Sequence, residues 1–440
     1  MRVKTNNIYL DYAASTPVHP AVLKAMMPYF LENFGNAGSL HRFGQEAIKA
    51  IDESREVIAK AIGRPAAAGF REIIFTGSAT EANNLALRGA LKDKPKDSRI
   101  IILAIEHESV LETARDLERD GFDVIYLPVS REGLVDLNKL KSALNDKTIL
   151  VSVMYVNNEI GTVQPIAEIS KIISEFKERK FISQKDGVSL AQPLARPLDS
   201  RPRSSDFVGD RARSGSETLF LEKNLLSSYP LFHIDAVQAF QFFDCDVKKL
   251  GVDLMTLSAH KIYGPKGIGA LYLREKIKKE IKPIITGGGQ EFGLRSGTEN
   301  TPLIVGFGKA VELVSARRKQ NCLKTEKLKK YFLARLEKIF PALAVNGPID
   351  DKSAPHILNV YLPGTLADEM LIKLDKVGVA VSAGSACSAR ATKLSHVLTA
   401  IGLEQERIMS SLRFSFGRET KIADLKKVLE ILIPLEISRF

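Results

Sequence analysis

The sequence predicts an α/β fold: a large domain on a mostly parallel seven-stranded sheet, followed by a smaller α+β C-terminal domain. Three observations carry that expectation. A chain of 440 residues is long enough to bury a large core and to form more than one domain. From about residue 72, short apolar runs alternate with longer amphipathic ones. After about Leu323 the alternation gives way to helical patterns mixed with short strands.

The runs at 72–75, 99–103, 123–127, 148–154, 231–234, 253–257 and 269–273 are short and rich in Ile, Val and Leu, as strands are. Between the first five lie helical patterns at 81–91, 109–120, 137–144 and 166–180. Strands separated by helices pair parallel, with the helices covering both faces of the sheet. One stretch breaks the pattern. Residues 183–217 are rich in Ser, Arg, Pro, Gly and Asp and carry no periodicity, where an α/β connection needs only a handful of residues. The expectation there is a disordered or loosely packed surface insertion. In the C-terminal part, 356–360 and 412–415 read as strands of the smaller domain.

With 45% hydrophobic and 26% charged residues, the composition is that of a soluble globular protein. No apolar run is long enough for a bilayer, and the first twelve residues contain no signal-peptide segment, so a cytoplasmic protein is expected. The net charge of +11 raises the question of nucleic acid. Its densest stretches, 274–282 and 317–330, mix Lys and Arg with Glu and apolar residues at helical spacing. They read as solvated helix faces and argue for no direct nucleic-acid partner, although the charge could help dock an acidic protein. The three cysteines, Cys245, Cys322 and Cys387, form no CxxC or Cys/His cluster, so neither a zinc site nor a disulfide framework is expected. A cysteine that matters here matters as a thiol.

The strongest local signal is the strand running into Ser258, His260 and Lys261 and then a turn rich in Gly and Pro. A lysine at a strand end, beside hydroxyl and imidazole groups, suits a Schiff base with pyridoxal phosphate. The neighbouring strand ends at Asp235, with Gln238 three residues on. A pyridine ring needs an anion at its nitrogen to act as an electron sink, and Gln238 could bond the ring oxygen. A third strand runs through a Gly/Ser/Thr turn into a helix, where Ser78, Thr80 and the amides around Ala79 would cradle a phosphate. His107 stands at a further strand end, where an imidazole could stack on the ring. Taken singly, each has a plainer reading: a turn lysine, an N-cap Asp, capping hydroxyls.

Together these residues resemble the fold-type-I, class V aminotransferase-like superfamily, and within it the cysteine desulfurases that feed iron–sulfur cluster assembly. The resemblance covers nearly the whole chain outside the insertion. It runs from the Tyr9-Leu-Asp-Tyr-Ala-Ala-Ser-Thr-Pro17 and Asn33-Phe-Gly-Asn36 motifs through Tyr155-Val-Asn-Asn158 to the Gly287–Thr298 and Ser410–Arg413 segments. It implies a large pyridoxal-phosphate domain over 17–317, and a small domain from 1–16 and 318–440. Lys261 would hold the cofactor, Asp235 and Gln238 contact its ring, and His107 stack on it and assist catalysis. Ser78, Ala79, Thr80, Ser258 and His260 would bind the phosphate, joined by Thr298 from the other subunit of a homodimer. Asn158 would reach the ring oxygen or the substrate, and Arg413 with Asn36 would clamp the substrate carboxylate, a task for a bidentate guanidinium.

The segment that separates a desulfurase from a transaminase is Val381-Ser-Ala-Gly-Ser-Ala-Cys387-Ser-Ala-Arg390. Small residues surround the cysteine, which gives a loop freedom to swing. The segment resembles the long-loop desulfurases, apart from Ala383 and Ser388. The Cys387 thiolate would attack the sulfur of L-cysteine and leave alanine. The persulfide would pass to an iron–sulfur scaffold or a sulfur-carrier protein, for cluster assembly or tRNA thiolation. Cys387 could also ligate a nascent cluster transiently, with no resident metal expected. Cys245 and Cys322 read as core residues. A selenocysteine lyase, a class V transaminase and a non-catalytic scaffold of a sulfur-transfer complex are the alternatives.

Overall fold

The computed structural model describes residues 7–65, 69–186, 229–383 and 394–437. Twelve strands occur among them, β1 to β12 in chain order: Ile8–Tyr9, Ile73–Thr76, Arg99–Leu103, Asp123–Leu127, Thr148–Met154, Leu231–Asp235, Leu254–Ser258, Gly269–Leu273, Ala344–Asn346, Ile357–Tyr361, Val379–Ala380 and Ser411–Ser415. Seven form the large sheet in the order β2-β8-β7-β6-β5-β3-β4. Five of these, β7 to β4, run parallel, and β8 is antiparallel to both its neighbours. The sheet is buried on both faces, as parallel sheets require. Along β3, Ile101 and Leu103 enter one apolar core while Ile100 and Ile102 enter another.

Helices fill the crossovers. Ala79–Leu91, Glu108–Arg119, Leu137–Ala143 and Ile166–Asp186 lie close to their expected bounds, and the last continues through residues 183–186 instead of stopping near Lys180. Residues 187–217 of the expected insertion lie outside the described residues. The sequence reading passed over Pro20–Met26 and Arg42–Ala61. The buried face of the latter is built from Ala47, Ala50, Ile51, Ser54, Arg55 and Ile58, a stripe too small and too polar to stand out. The basic stretch 274–282 holds only the short 3₁₀ turn Glu275–Glu280, whereas 317–330 lies within the helix Thr301–Ile339.

A three-stranded antiparallel sheet, β12-β10-β9, makes the smaller C-terminal domain. Its core joins Phe332, Phe414 and Leu425 to Leu10 from the N-terminal segment, and β1 pairs parallel with β11. The two ends of the chain are therefore stitched together beside the large sheet. No helix among the described residues is long and apolar enough to cross a membrane.

Candidate active site

A cavity of about 410 Å³ lies where β5, β6 and β7 end, lined there by Met154, Asp235 and Ser258. Ligands of open α/β sheets sit beyond these carboxyl ends, and the volume suits a cofactor with a small substrate. The register sets the side chains: Met154 stands opposite Asp235, Asp235 opposite Thr256, and Ser258 opposite Gly269.

Lys261 follows β7 by one 3₁₀ turn, Ala259–Lys261. Its Nζ donates to the carbonyls of Ala13 and Ala14, at 2.5 and 2.8 Å, so the N-terminal segment forms part of the wall. Asp235 is buried; its Oδ1 accepts from the Val237 amide at 3.0 Å and its Oδ2 from Asn83 Nδ2 at 2.9 Å. Gln238 donates to Ala13 O at 2.9 Å, and its Oε1 lies 3.2 Å from His356 Nε2. His107 caps the helix Glu108–Arg119, with Nδ1 accepting from the Ser109 amide at 3.1 Å. Burial lowers its pKa, with Lys261 adding to the effect and Asp235 opposing it, so the imidazole is neutral at pH 7. His260 is pushed down to about 4, by burial and then by Lys261 and Lys266.

The phosphate-type cradle is the start of the helix Ala79–Leu91. Ser78 is its N-cap, with Oγ accepting from Glu81 N at 3.1 Å, while Glu81 reaches back to Gly77 N at 2.9 Å. Arg295 donates to Glu81 Oε1 at 2.8 Å, which steadies the turn. Gly269 is required here. A Cβ at that position would lie 2.6–2.8 Å from backbone atoms of Ser78 and Ala79, so only glycine lets β8 start against the turn. Ser78, Ala79, Thr80, Ser258 and His260 all line the cavity.

The other wall comes from the smaller domain. Arg413, on β12, is almost completely buried. Its Nη2 donates to Asp11 Oδ1 at 2.7 Å and its Nη1 to Asn158 O at 2.9 Å. Beside it, buried Glu159 accepts from Ser395 Oγ at 2.5 Å, and burial raises its pKa. His396, at the start of the short helix His396–Ala400, lines the cavity and pairs through Nε2 with Glu106 O at 2.9 Å. Glu106 is itself fully buried and accepts from the Met154 amide at 2.6 Å; burial raises its pKa well above the usual carboxylate range.

The aminotransferase class-V family model matches residues 8–208 and 223–428. A cysteine desulfurase IscS of Dictyoglomus turgidum is 41% identical over 97% of this chain and 93% of its own. The chain belongs to the class-V aminotransferases, among the cysteine desulfurases. A solved NifS-like protein superposes with a TM-score of 0.79 at 30% identity, over 99% of this chain and all of its own. A structure described as SspA in complex with cysteine gives a TM-score of 0.71 at 34% identity, over 93% and 98% of the two chains.

Enzymes of this family depend on pyridoxal phosphate, and the residues present suit it. A lysine, a buried carboxylate, a neutral imidazole and a helix start carrying the Ser78 and Thr80 hydroxyls converge on one cavity, and the close packing of Gly269 holds the cradle in place. Of the residues singled out from sequence, the fold brings Lys261, Asp235, Gln238, His107, Asn158, Ser78, Ala79, Thr80, Ser258, His260 and Arg413 together around the cavity. Asn36 is not among them: it is exposed, and its Oδ1 accepts from Gly38 N at 2.9 Å. Thr298 is likewise exposed and outside the cavity of its own chain. Cys387 and Ser388 lie outside the described residues. Cys245 is buried, and burial pushes its thiol up to about 12, whereas Cys322 is half-buried on the long helix and not a core residue. Sequence reasoning missed Asn83, Asp11, Glu159 and His396. Asp11 lies inside a recognised motif and Glu159 directly follows Asn158, but neither motif said what its carboxylate would touch.

Proposed function

We propose that the chain is a cysteine desulfurase that uses pyridoxal phosphate to convert L-cysteine to L-alanine, with the sulfur passed to Cys387 as a persulfide. The observation that carries this is the meeting of Lys261, Asp235 and Arg413 around one cavity in a chain whose relatives are cysteine desulfurases. Lys261 would hold the cofactor, Asp235 would serve its ring nitrogen, His107 its ring, and Gln238 and Asn158 its oxygen. The helix start at Ser78–Thr80, with Ser258 and His260, takes the phosphate. When bound, pyridoxal phosphate supplies the electron sink that lets the α-proton of the substrate leave. The Lys261 amine takes that proton, and Arg413 holds the substrate carboxylate. The Cys387 thiolate attacks the substrate sulfur: an S–S bond forms, the C–S bond breaks, and the carbon fragment is protonated to alanine.

The same reading assigns 17–317 to the cofactor domain and 1–16 with 318–440 to the smaller one, supported by the pairing of β1 with β11. It makes the enzyme a homodimer in which Thr298 serves the neighbouring subunit. The exposure of Thr298 supports that, as do the exposed apolar side chains of Leu23, Phe30, Leu31, Phe34 and Leu40. The acceptor is an iron–sulfur scaffold or sulfur-carrier protein, and a cytoplasmic site suits a thiol that must stay reduced. The test is the visible absorbance of purified protein with pyridoxal phosphate, followed by alanine and sulfide release from L-cysteine with a reductant. A yellow protein that forms alanine, and a Lys261→Ala variant that does neither, is the expected result. A colourless wild type, or a yellow one inert towards L-cysteine, would overturn the reading.

A further inference from the structure

Asn83 is fully buried on a helix face otherwise made of Ala82, Leu85, Ala86 and Leu87. An amide on such a face is costly unless its polar atoms are bonded. Its Nδ2 donates twice, to Asp235 Oδ2 at 2.9 Å and to Ser109 Oγ at 2.8 Å. An ionised carboxylate only accepts, so the nitrogen of the amide must face it; the flipped amide would set two acceptors in contact. The Ser109 oxygen is then occupied as an acceptor, and its own hydrogen is directed to His107 Nδ1, 2.9 Å away. The Ser109 amide donates to the same nitrogen at 3.1 Å. Two donors on Nδ1 leave the ring proton on Nε2.

We propose that Asn83 is a positioning residue: through Ser109 it ties Asp235 to His107 and holds the imidazole in its Nε2–H form beside the cavity. The inference rests on the reading above that Asp235 and His107 flank the cofactor ring. The carboxylate and the imidazole then form one hydrogen-bonded unit in which Asn83 donates both ways, directly to Asp235 and through Ser109 to His107. Other charged groups act on His107 through space: Asp235 from β6, Lys261 and His260 from beyond β7, Glu108 from its own helix and His396 from the smaller domain. Among the described residues, only Ser109 hydrogen-bonds the imidazole.

The experiment is nitrogen-15 histidine NMR on the full chain without cofactor, with His107 assigned by the signal lost in His107→Gln, followed by cofactor titration. Asn83→Leu keeps the shape and removes both donors; Ser109→Ala removes the hydroxyl, and Ser109→Thr restores it. Wild type is expected to show the Nε2–H form. Asn83→Leu and Ser109→Ala raise the ionisation midpoint of His107 by about half a pH unit, the size of one modest hydrogen bond, and Ser109→Thr returns it. Asn83→Leu also weakens pyridoxal-phosphate binding by about tenfold, because Asp235 loses a donor. Unchanged His107 shifts and midpoint in both variants would overturn the relay, and unchanged cofactor affinity in Asn83→Leu would overturn its Asp235 half. Should Asn83→Leu fail to fold, Ser109→Ala, which loses a single oxygen, decides the matter. Failure of the desulfurase reading looks different: wild type would bind no cofactor or form no alanine, while the NMR signals would still report on the relay.

Discussion

The two walls of the cavity are built differently. The wall at the strand ends is a connected chain, Asp235 to Asn83 to Ser109 to His107, with links of 2.8–2.9 Å, although the buried Asn83 Oδ1 has no partner among the described residues. The wall from the smaller domain is held at its margins and keeps bonding capacity in reserve. Arg413 is anchored by Asp11 and by Asn158 O, yet its buried Nε has no partner among the described residues, and neither does Glu159 Oε1. Buried polar atoms are rarely left so. Unpartnered buried atoms occur on both sides, so the walls differ in connection: a continuous hydrogen-bonded chain suits a resident group, and a guanidinium held through its terminal nitrogens suits a ligand carboxylate. The second wall also anchors both flanks of the Cys387 segment: Arg413 N donates to Ser382 O at 2.6 Å, and Ser395 is bonded to Glu159.

The contrast can be broken most severely at Arg413. Arg413→Lys keeps the charge but loses the planar fork and leaves Asp11 poorly paired. A fall of about 10²-fold or more in kcat/KM for L-cysteine is expected, with the visible cofactor band retained. Loss of the band would mean that the two walls are not separable. A smaller effect is expected at Asp11, whose carboxylate offsets the guanidinium. Asp11→Asn should lower KM for L-cysteine about threefold by removing the competing charge. A raised KM would make Asp11 a support for the guanidinium and nothing more.

The sheet beneath the strand-end wall should be acid-sensitive. His233 is fully buried between Ser152 Oγ, 2.8 Å away, and Thr256 Oγ1, 3.0 Å away, and burial pulls its pKa down to about 3. The unfolded imidazole takes up a proton near pH 6.5, while the folded one resists until about pH 3. The unfolded state therefore binds more protons in that window, and stability falls as pH drops through it, by up to about 1.4 kcal/mol per pH unit for each such histidine. Urea midpoints between pH 7 and pH 4.5 should fall in wild type and fall less steeply in His233→Gln. Equal slopes would remove His233 from the account.

The sheet was legible because its strands are short apolar runs between amphipathic ones. Four of them, Arg99–Leu103, Asp123–Leu127, Thr148–Met154 and Gly269–Leu273, match the sequence reading to the residue. The residues proposed to meet a cofactor were legible because they close those strands: Asp235 ends β6 and Lys261 follows β7. Residues that act through others were not. Asn83 lies within a helix and meets Ser109 and Asp235 only after three strands have been stacked, and Asp11 meets Arg413 across 402 positions. Asn36 shows that motif membership says nothing about distance: in this chain it stays in a surface turn, bonded to Gly38, outside the cavity. The one available clue to Asn83 was an amide on an otherwise apolar helical face.

The central claim is that sulfur leaves L-cysteine through Cys387. The direct measurement is alanine formation from L-cysteine by Cys387→Ala beside wild type, both loaded with pyridoxal phosphate and matched by visible absorbance. The account predicts a variant as yellow as wild type that makes no alanine and carries no persulfide by mass spectrometry. A variant that still makes alanine at the wild-type rate would contradict it.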